Sequence, residues 1–250
     1  MTLHCSWLFG RGASIANGLS WLVPDKWKQD LIENRITREA HINMIIKTVR
    51  EEMAKPSVHC RTYRRLLNFM AQSAGYSRYH NLMTTNWDYL LQLEVNAWIK
   101  RNQPGHAPHF LLGTHVYHLN GTVEPTESIN RSPFLLETDS ASYRKQSYEA
   151  NKAFNSLLWS SLVVIIGMSF ECDSDNGLLA ALHANEDNIP LGEALFVVID
   201  PCGENLDNVG RKLSQYFPRA GQQLVNCGLD EWIDSDMLEL KGRILTPSSK

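Results

Sequence analysis

Small and polar residues follow five predicted β-strands of this sequence, and residues of these types commonly bind ligands. They are residues 10–14, 85–88, 119–121 and 167–169, and Asp200. Because ligands of an open α/β sheet bind outside the carboxyl ends of its strands, we expect these residues to meet at one rim. The chain contains no Gly-x-Ser-x-Gly elbow, which a serine hydrolase of this class needs. The set therefore favours a nucleotide crevice over a hydrolase triad.

The first of these segments is a glycine turn, Gly-Arg-Gly-Ala-Ser, after an apolar strand that ends at Phe9. Glycines adopt backbone angles that other residues avoid, so a bare backbone could lie against a phosphate. A helix that starts near Ser14 would direct unpaired N–H groups at such an anion. The dinucleotide fingerprint has a third glycine where this chain has Ile15. A strand-to-helix turn that binds nothing is therefore equally compatible with these residues.

Buried strands and helices alternate along the chain. Residues 162–166 form a continuous β-branched and apolar run, which is typical of a strand buried on both faces of a parallel sheet. Residues 79–85 and 194–199 are also predicted strands, and helical periodicity separates the three. This alternation predicts an α/β fold: a Rossmann-like open parallel sheet with helices on both faces.

Two predicted helices occupy the place where a doubly wound fold would have its second strand. One runs from Asp25 to about Met53, and the other from Arg61 to about Ala74. We therefore expect a single domain over residues 1–250 with an inserted helical pair at about 25–75. This pair could form a lid or a partner surface.

Bulk properties exclude several classes of protein. The formal net charge of -3 offers no broad basic face for direct binding of nucleic acid. No apolar run is long enough to span a membrane and no signal peptide begins the chain, so we expect a cytoplasmic protein. The five cysteines are odd in number and never form a Cys-x-x-Cys pair, which argues against a structural zinc ribbon and against a disulfide framework.

Four motifs occur in an order that resembles the sirtuin-like (SIR2-like) domain, over about residues 5–202. They are Gly-Arg-Gly-Ala-Ser at 10–14, Thr-Thr-Asn-Trp-Asp at 84–88, His-Leu-Asn-Gly-Thr at 118–122, and Val-Ile-Ile-Gly-Met-Ser-Phe at 164–170 with an aspartate soon after. The chain most resembles the zinc-free branch found in bacterial anti-phage defence proteins, which destroy NAD. Deacetylating sirtuins carry a four-cysteine zinc module, and the unpaired cysteines here fit the zinc-free branch.

The resemblance implies that NAD is the substrate and that no metal is needed. It places Gly10, Gly12, Ala13 and Ser14 at the pyrophosphate, Asn86 and Asp88 at the nicotinamide ribose, Gly167 and Ser169 at the adenosine phosphate or ribose, and Asp200 at the adenine-side ribose. Thr85 and Gly121 are expected to bind the same ligand. The implied reaction is hydrolysis of NAD to nicotinamide and ADP-ribose.

One position departs from the family pattern. The family's general base is a histidine directly before a glycine, and this chain has Asn120 before Gly121. Asparagine cannot take up a proton at neutral pH, so the assistance of a positioned base should be missing. His118, on the same face of a strand, could serve instead. Otherwise the domain binds NAD or ADP-ribose without turnover, or the asparagine is an engineered change in an active enzyme.

Simpler interpretations remain open for single residues. Asn120-Gly121 is also the signal for a two-residue hairpin turn. Asn86 or Asp88 could be only the cap of a helix.

The sequence therefore predicts an NAD glycohydrolase that is the effector of a prokaryotic anti-phage defence system. We expect it to form a homo-oligomer or to act with a defence partner. The alternatives are a catalytically silent module that binds NAD or ADP-ribose within an assembly, and an enzyme that transfers a nucleoside or base.

Overall fold

Six parallel strands form one sheet in the computed structural model, which describes residues 4–20, 22–71, 79–102, 110–111, 115–123, 134–139, 148–185 and 190–235. The strands are β1 (His4–Phe9), β2 (Tyr79–Thr84), β3 (Tyr117–His118), β4 (Ser160–Ile166), β5 (Leu195–Ile199) and β6 (Gly221–Val225). Their order across the sheet is β3-β2-β1-β4-β5-β6. The predicted Rossmann-like parallel sheet is confirmed.

The strand order reverses between β1 and β4. From β1 the chain moves outward to β2 and β3, then returns to place β4 on the other side of β1. The connections that leave the carboxyl ends of β1 and β4 therefore diverge, and a crevice opens between them. Ligand sites of open α/β sheets lie at such a switch point.

Helices cover both faces of the sheet, as the buried runs in the strands require. On one face α4 (Arg61–Ala71), α5 (Leu90–Asn102) and α9 (Leu229–Asp234) pack against alternate residues of β1 such as Trp7 and Phe9. On the other face α6 (Tyr148–Leu158), α7 (Asp173–His183) and α8 (Gly203–Tyr216) pack against Leu8, Val163 and Ile165. A short α1 (Arg11–Ile15) follows β1, and a 3-10 helix (Pro190–Glu193) precedes β5.

The inserted segment differs from its prediction. The helix expected from Asp25 to about Met53 is interrupted, so that α2 (Asp25–Ile32) and α3 (Arg38–Met53) are separate, and the described part of the insertion has three helices, α2, α3 and α4, instead of two. The interruption has a local cause: Asn34 lies at φ 57°, and the Thr37 side chain accepts a hydrogen bond from the Ala40 N–H at 3.1 Å, which caps α3. Residues 72–74, the expected end of α4, lie outside the described residues.

Helices α2 and α3 build a third apolar cluster beside the sheet. Val23, Ile45 and Val49 pack there with Val123 and Leu136, and Trp87 lies against the cluster. The segment 134–139 is therefore held between the inserted helices and the loop that follows β3.

The chain beyond Asp200 adds α8, β6 and α9, which periodicity did not predict. Strand β6 is the edge of the sheet, and of its residues only Val225 is fully buried. An edge strand with the sequence Gly-Gln-Gln-Leu-Val lacks the apolar alternation that marks a buried strand, so its pattern is weak.

Candidate functional site

A cavity of about 600 Å³ opens at the carboxyl ends of β1 and β4. Its size lies within the range of about 300–1,000 Å³ that is usual for small-molecule sites. The predicted site residues that line it are Gly10, Gly12, Ala13, Ser14, Thr85, Asn86, Asp88, Asn120, Gly167, Ser169 and Asp200. The fold thus brings five separate segments of the chain to one cavity.

The glycines are needed for close packing. Gly10 has φ -102° and ψ -173°, which other residues also adopt. A Cβ on Gly10 would lie 2.5 Å from the Gly167 carbonyl oxygen, and one on Gly12 would lie 2.7 Å from the Gly167 Cα. Of these three glycines only Gly167 has a positive φ, +60°. The expected special angles at Gly10 are therefore wrong, and close contact between two backbone turns explains the residue instead.

The same contact uses two N–H groups of the glycine turn, whose bare backbone was expected to lie against a phosphate. The Gly10 N–H donates to the Ile166 carbonyl at 2.9 Å, and the Gly12 N–H donates to the Gly167 carbonyl at 2.8 Å. Helix α1 also begins at Arg11, before Ser14, and has only five residues. An anion here would meet the side chain of Arg11, which is exposed and lines the cavity.

A hydrogen-bond network joins the ends of β1 and β2. The Asn86 Nδ2 donates to the Gly10 carbonyl and to Ser14 Oγ, both at 2.9 Å. Ser14 Oγ donates to Asp88 Oδ2 at 2.6 Å. Since a carbonyl can only accept, the amide nitrogen of Asn86 must face Gly10, and Asn86 Oδ1 is left as an acceptor for a hydroxyl or a water.

Asp88 is committed to the protein on both oxygens. Its Oδ2 accepts from Ser14, and its Oδ1 accepts from the Leu90 N–H at 3.1 Å at the start of α5. Burial raises the pKa of this carboxyl, and both hydrogen bonds lower it. Asp88 is therefore a helix cap, as the simpler interpretation held, and it also fixes Ser14 beside Asn86.

Two predicted residues do not line the cavity. His118 is buried, its ring stacks on Tyr89 with centroids 5.7 Å apart, and burial lowers its pKa to about 4. This position does not suit a base that acts in the cavity. Gly121, at φ +81°, forms a turn in which its N–H donates to the His118 carbonyl at 3.2 Å.

The hairpin interpretation of Asn120-Gly121 is wrong. Strand β3 pairs with β2 in parallel, and the chain after Gly121 crosses to the loop that follows β2. There the Val123 N–H donates to the Trp87 carbonyl at 2.8 Å. Asn120 consequently lies in the turn after β3, where it is buried and lines the cavity.

The far end of the cavity is held by the start of α8. Asp200 is buried, and its Oδ1 accepts from the Cys202 N–H at 2.8 Å. Burial raises its pKa, against the hydrogen bonds from Cys202 and Asn205. The Ser169 carbonyl accepts from Asn208 Nδ2 at 2.9 Å.

Sequence reasoning missed several residues that line the cavity. Asp175 and Cys172, at the start of α7, belong to this group, as do Glu137 and Lys28, whose side chains form a salt bridge at 2.6 Å. The sequence motifs assigned no role to Asp175. Its position shortly after the Gly-Met-Ser-Phe motif was the available signal, because the first turn of a helix that follows a strand lies at the sheet edge where ligands bind.

The described ranges hold neither a metal cluster nor a membrane-spanning helix. Within them, no group of three or more His, Cys, Asp or Glu side chains could hold a metal ion, and the five cysteines are free. None of the described helices is both long and apolar enough to cross a bilayer.

Comparison with solved structures identifies the architecture. A Sir2 homologue solved as a complex with NAD aligns over 97% of this chain and 91% of its own, with a TM-score of 0.51 at 13% identity. The fold is that of the Sir2 homologues. A sirtuin structure on substrate affinity (TM-score 0.48, 14% identity, 97% and 92% covered) and a mutant Sir2 homologue with ADP-ribose (0.45, 14%, 96% and 91%) are also similar. No family model matches the sequence, and no curated protein does.

Proposed function

We propose that this protein binds NAD in the cavity between β1 and β4 and hydrolyses it to nicotinamide and ADP-ribose. One observation carries the proposal: the strand ends that the sequence marks as polar converge on a single cavity at the switch point of a Sir2-type sheet. A Sir2 homologue of this fold has been solved with NAD bound.

The reaction makes modest demands on the protein. The bond between C1 of the nicotinamide ribose and the pyridinium nitrogen breaks, and its electron pair neutralises the ring, so no acid is needed to protonate the leaving group. The ribose becomes an oxocarbenium-like cation that water attacks, as in glycoside hydrolysis. The protein must orient ribose and water and stabilise the spreading positive charge.

Asn86 is the residue best placed for the orienting role. Its Nδ2 is fixed by Gly10 and Ser14, so its Oδ1 is presented as a rigid acceptor for a ribose hydroxyl or the attacking water. Asp88 acts through Ser14 as a positioning residue. Rigid placement of this kind lowers the entropic part of the barrier.

The other predicted residues are assigned to the rest of the dinucleotide. Arg11 lies beside Gly12 at the cavity and would meet the pyrophosphate charge. Gly167, Ser169 and Asp200 would contact the adenosine half.

The direct test is to incubate the purified chain with NAD and to measure the released nicotinamide by chromatography. We expect release that requires the folded protein and yields ADP-ribose in equal amount. If NAD raises the melting temperature but no nicotinamide forms, the chain binds the dinucleotide without hydrolysing it.

A silent binding module is the second candidate, and the position of Asn120 favours it. Asn120 lines the cavity, whereas His118 does not. In the motif of the resembled family, the position of Asn120 is the catalytic histidine. On this alternative Asn120→His would leave turnover absent. On the hydrolase proposal the unmodified chain already turns over NAD, and Asn120→His should change the rate of that reaction without being needed for it.

In the cell we propose an effector of a prokaryotic anti-phage defence system, from the zinc-free branch. Uncontrolled loss of NAD is toxic, so self-assembly or a partner protein should switch the activity on. Helices α2 and α3, which pack beside the cavity through Trp87, are the proposed contact surface. Light scattering and nicotinamide release, with and without the neighbouring operon products, test this; a monomer of constant activity would contradict it.

A further inference from the structure

Asp175 lies at the cavity, and neither the sequence motifs nor the proposed mechanism gives it a role. It is the third residue of α7, it is 9% exposed, and it lines the cavity together with Asn120 and Cys172. Its neighbour Asp173 belongs to the same first turn but is exposed and does not line the cavity.

The segment 134–139 fixes Asp175 beside Asn120. The Leu135 N–H donates to the Asn120 carbonyl at 3.0 Å, and the Ser174 N–H donates to the Glu137 carbonyl at 3.2 Å. These two bonds tie the turn after β3 and the start of α7 to one short piece of chain. The two side chains therefore meet as a consequence of backbone bonding, and the Asn120 amide interacts with the Asp175 carboxylate.

The carboxylate of Asp175 is incompletely bonded. The Asn120 amide and the Cys172 thiol both interact with it, yet within the described residues no group donates to its Oδ1, which is covered. A buried acceptor without a donor is costly, and in native proteins it commonly marks a catalytic role or a bound molecule. Because this oxygen is covered, the carboxylate has to rotate before a water or a ribose hydroxyl in the cavity can supply the missing donor.

The charges around Asp175 leave it able to exchange a proton near neutral pH. Burial is the main cause that raises its pKa, which lies at about 6; Glu137 also raises it, while the hydrogen bonds from Cys172 and Asn120 and the charge of Lys212 on α8 lower it. Glu137 is itself paired with Lys28, and Lys212 donates to Asn176 Oδ1 at 2.9 Å. The Cys172 thiol has a pKa raised to about 11 and stays neutral.

We propose that Asp175 is the general base of this cavity and occupies the role left open by Asn120. The inference rests on the proposed hydrolysis of NAD. Water forms the new bond to C1 as the bond to nicotinamide breaks, and its proton passes to the Asp175 carboxylate and from there to solvent. Asn120 holds that carboxylate, so an asparagine at this position is compatible with catalysis.

The other candidates for a base are less suitable. Asp88 has both oxygens bonded to the protein, His118 lies outside the cavity, and Asn120 cannot take a proton. Asp175 combines a position at the cavity, an ionisable group and an oxygen without a donor.

The test compares Asp175→Asn with the matched variant Asp173→Asn. Asp175→Asn should lower nicotinamide release by about 10²–10⁴-fold, which is the usual contribution of a positioned base. Binding of ADP-ribose, measured by calorimetry, should be unchanged. Asp173→Asn should retain full turnover, because that carboxylate is exposed and away from the cavity.

The pH profile separates a base from a structural residue. The logarithm of kcat/KM for the unmodified chain should fall with unit slope below pH about 6. Glu137→Gln should move this acid limb to lower pH by removing a negative charge, and Lys212→Met should move it to higher pH. A limb that neither variant moves would overturn the inference.

Failure of the inference can be distinguished from failure of the proposed function. If the unmodified chain releases nicotinamide and Asp175→Asn releases it equally fast, only the role of Asp175 is overturned. If the unmodified chain releases none while binding ADP-ribose, hydrolysis itself is wrong and the base falls with it.

Discussion

The cavity has two sides that treat a buried aspartate differently. On the side built by β1 and β2, both oxygens of Asp88 are bonded, to Ser14 and to the Leu90 N–H. On the side built by α7, Asp175 has a covered oxygen to which none of the described residues donates. Burial raises the pKa of both carboxyl groups.

The difference shows that burial alone does not identify a reactive group. A carboxylate whose two oxygens both accept hydrogen bonds from the protein has a structural role, and these hydrogen bonds stabilise the folded state. A carboxylate left partly unbonded costs folding energy, which a protein tolerates where a ligand completes the bonding. The first side is thus a rigid support, and the second is available for chemistry.

The largest effect is expected on the bonded side. Asn86→Ala removes the acceptor for water and ribose together with the ties to Gly10 and Ser14, so nicotinamide release should fall by about 10²–10³-fold or more. Asn185→Ala is the control, because that amide also donates to a backbone carbonyl, of Ala181, but does not line the cavity. Equal activity of the two variants would mean that the site is misplaced.

The pH dependence of stability sharpens the contrast at Asp175. Its pKa is raised from 3.8 to about 6 in the folded chain, so the folded state binds the proton more tightly than the unfolded state. Stability therefore falls as pH rises from about 4 to about 6 and is level above that, with a total change of about 3 kcal/mol.

Asp175→Asn removes this dependence and should be more stable than the unmodified chain at pH 7 to 8. The difference should shrink towards pH 4, where the aspartate is protonated. Thermal melts of both proteins across this range measure it. A constant difference between the two melting temperatures would contradict the assigned pKa.

A smaller effect is expected on stability at fixed pH when either aspartate is truncated. Asp88→Ala leaves the Leu90 N–H and Ser14 without their acceptor, and should lower the free energy of unfolding by about 2 kcal/mol. Asp175→Ala removes an incompletely bonded charge and should cost less. Urea denaturation of the two variants at pH 7 compares them, and the reverse order would break the contrast between the two sides.

The smallest effect is expected at the rim. Arg11→Ala should weaken ADP-ribose binding by up to about 1 kcal/mol, roughly fivefold in Kd, because an exposed charge is well screened. The loss should decrease as salt increases. Arg219→Ala, which changes another exposed arginine away from the cavity, is the control for net charge.

Much of the cavity could be predicted from the sequence because its residues stand at strand ends. Ser14, Asn86 and Ser169 each follow an apolar run, and parallel strands place such ends at one edge. His118 and Gly121 were predicted at the site but do not line the cavity. The sequence of a short strand and a turn does not indicate which of its residues reaches the ligand-binding edge of the sheet. Strand β6 was missed because an exposed edge strand needs no apolar alternation.

The sequence alone determined where the buried strands of this chain form and which of their ends carry polar groups, because those properties follow from local periodicity. Only the tertiary structure decided which polar atoms are bonded. The partner that holds Asp88 is Ser14, 74 residues away, and the amide beside Asp175 is that of Asn120. Such pairings depend on how distant segments pack, and packing, unlike periodicity, has no local pattern in the chain.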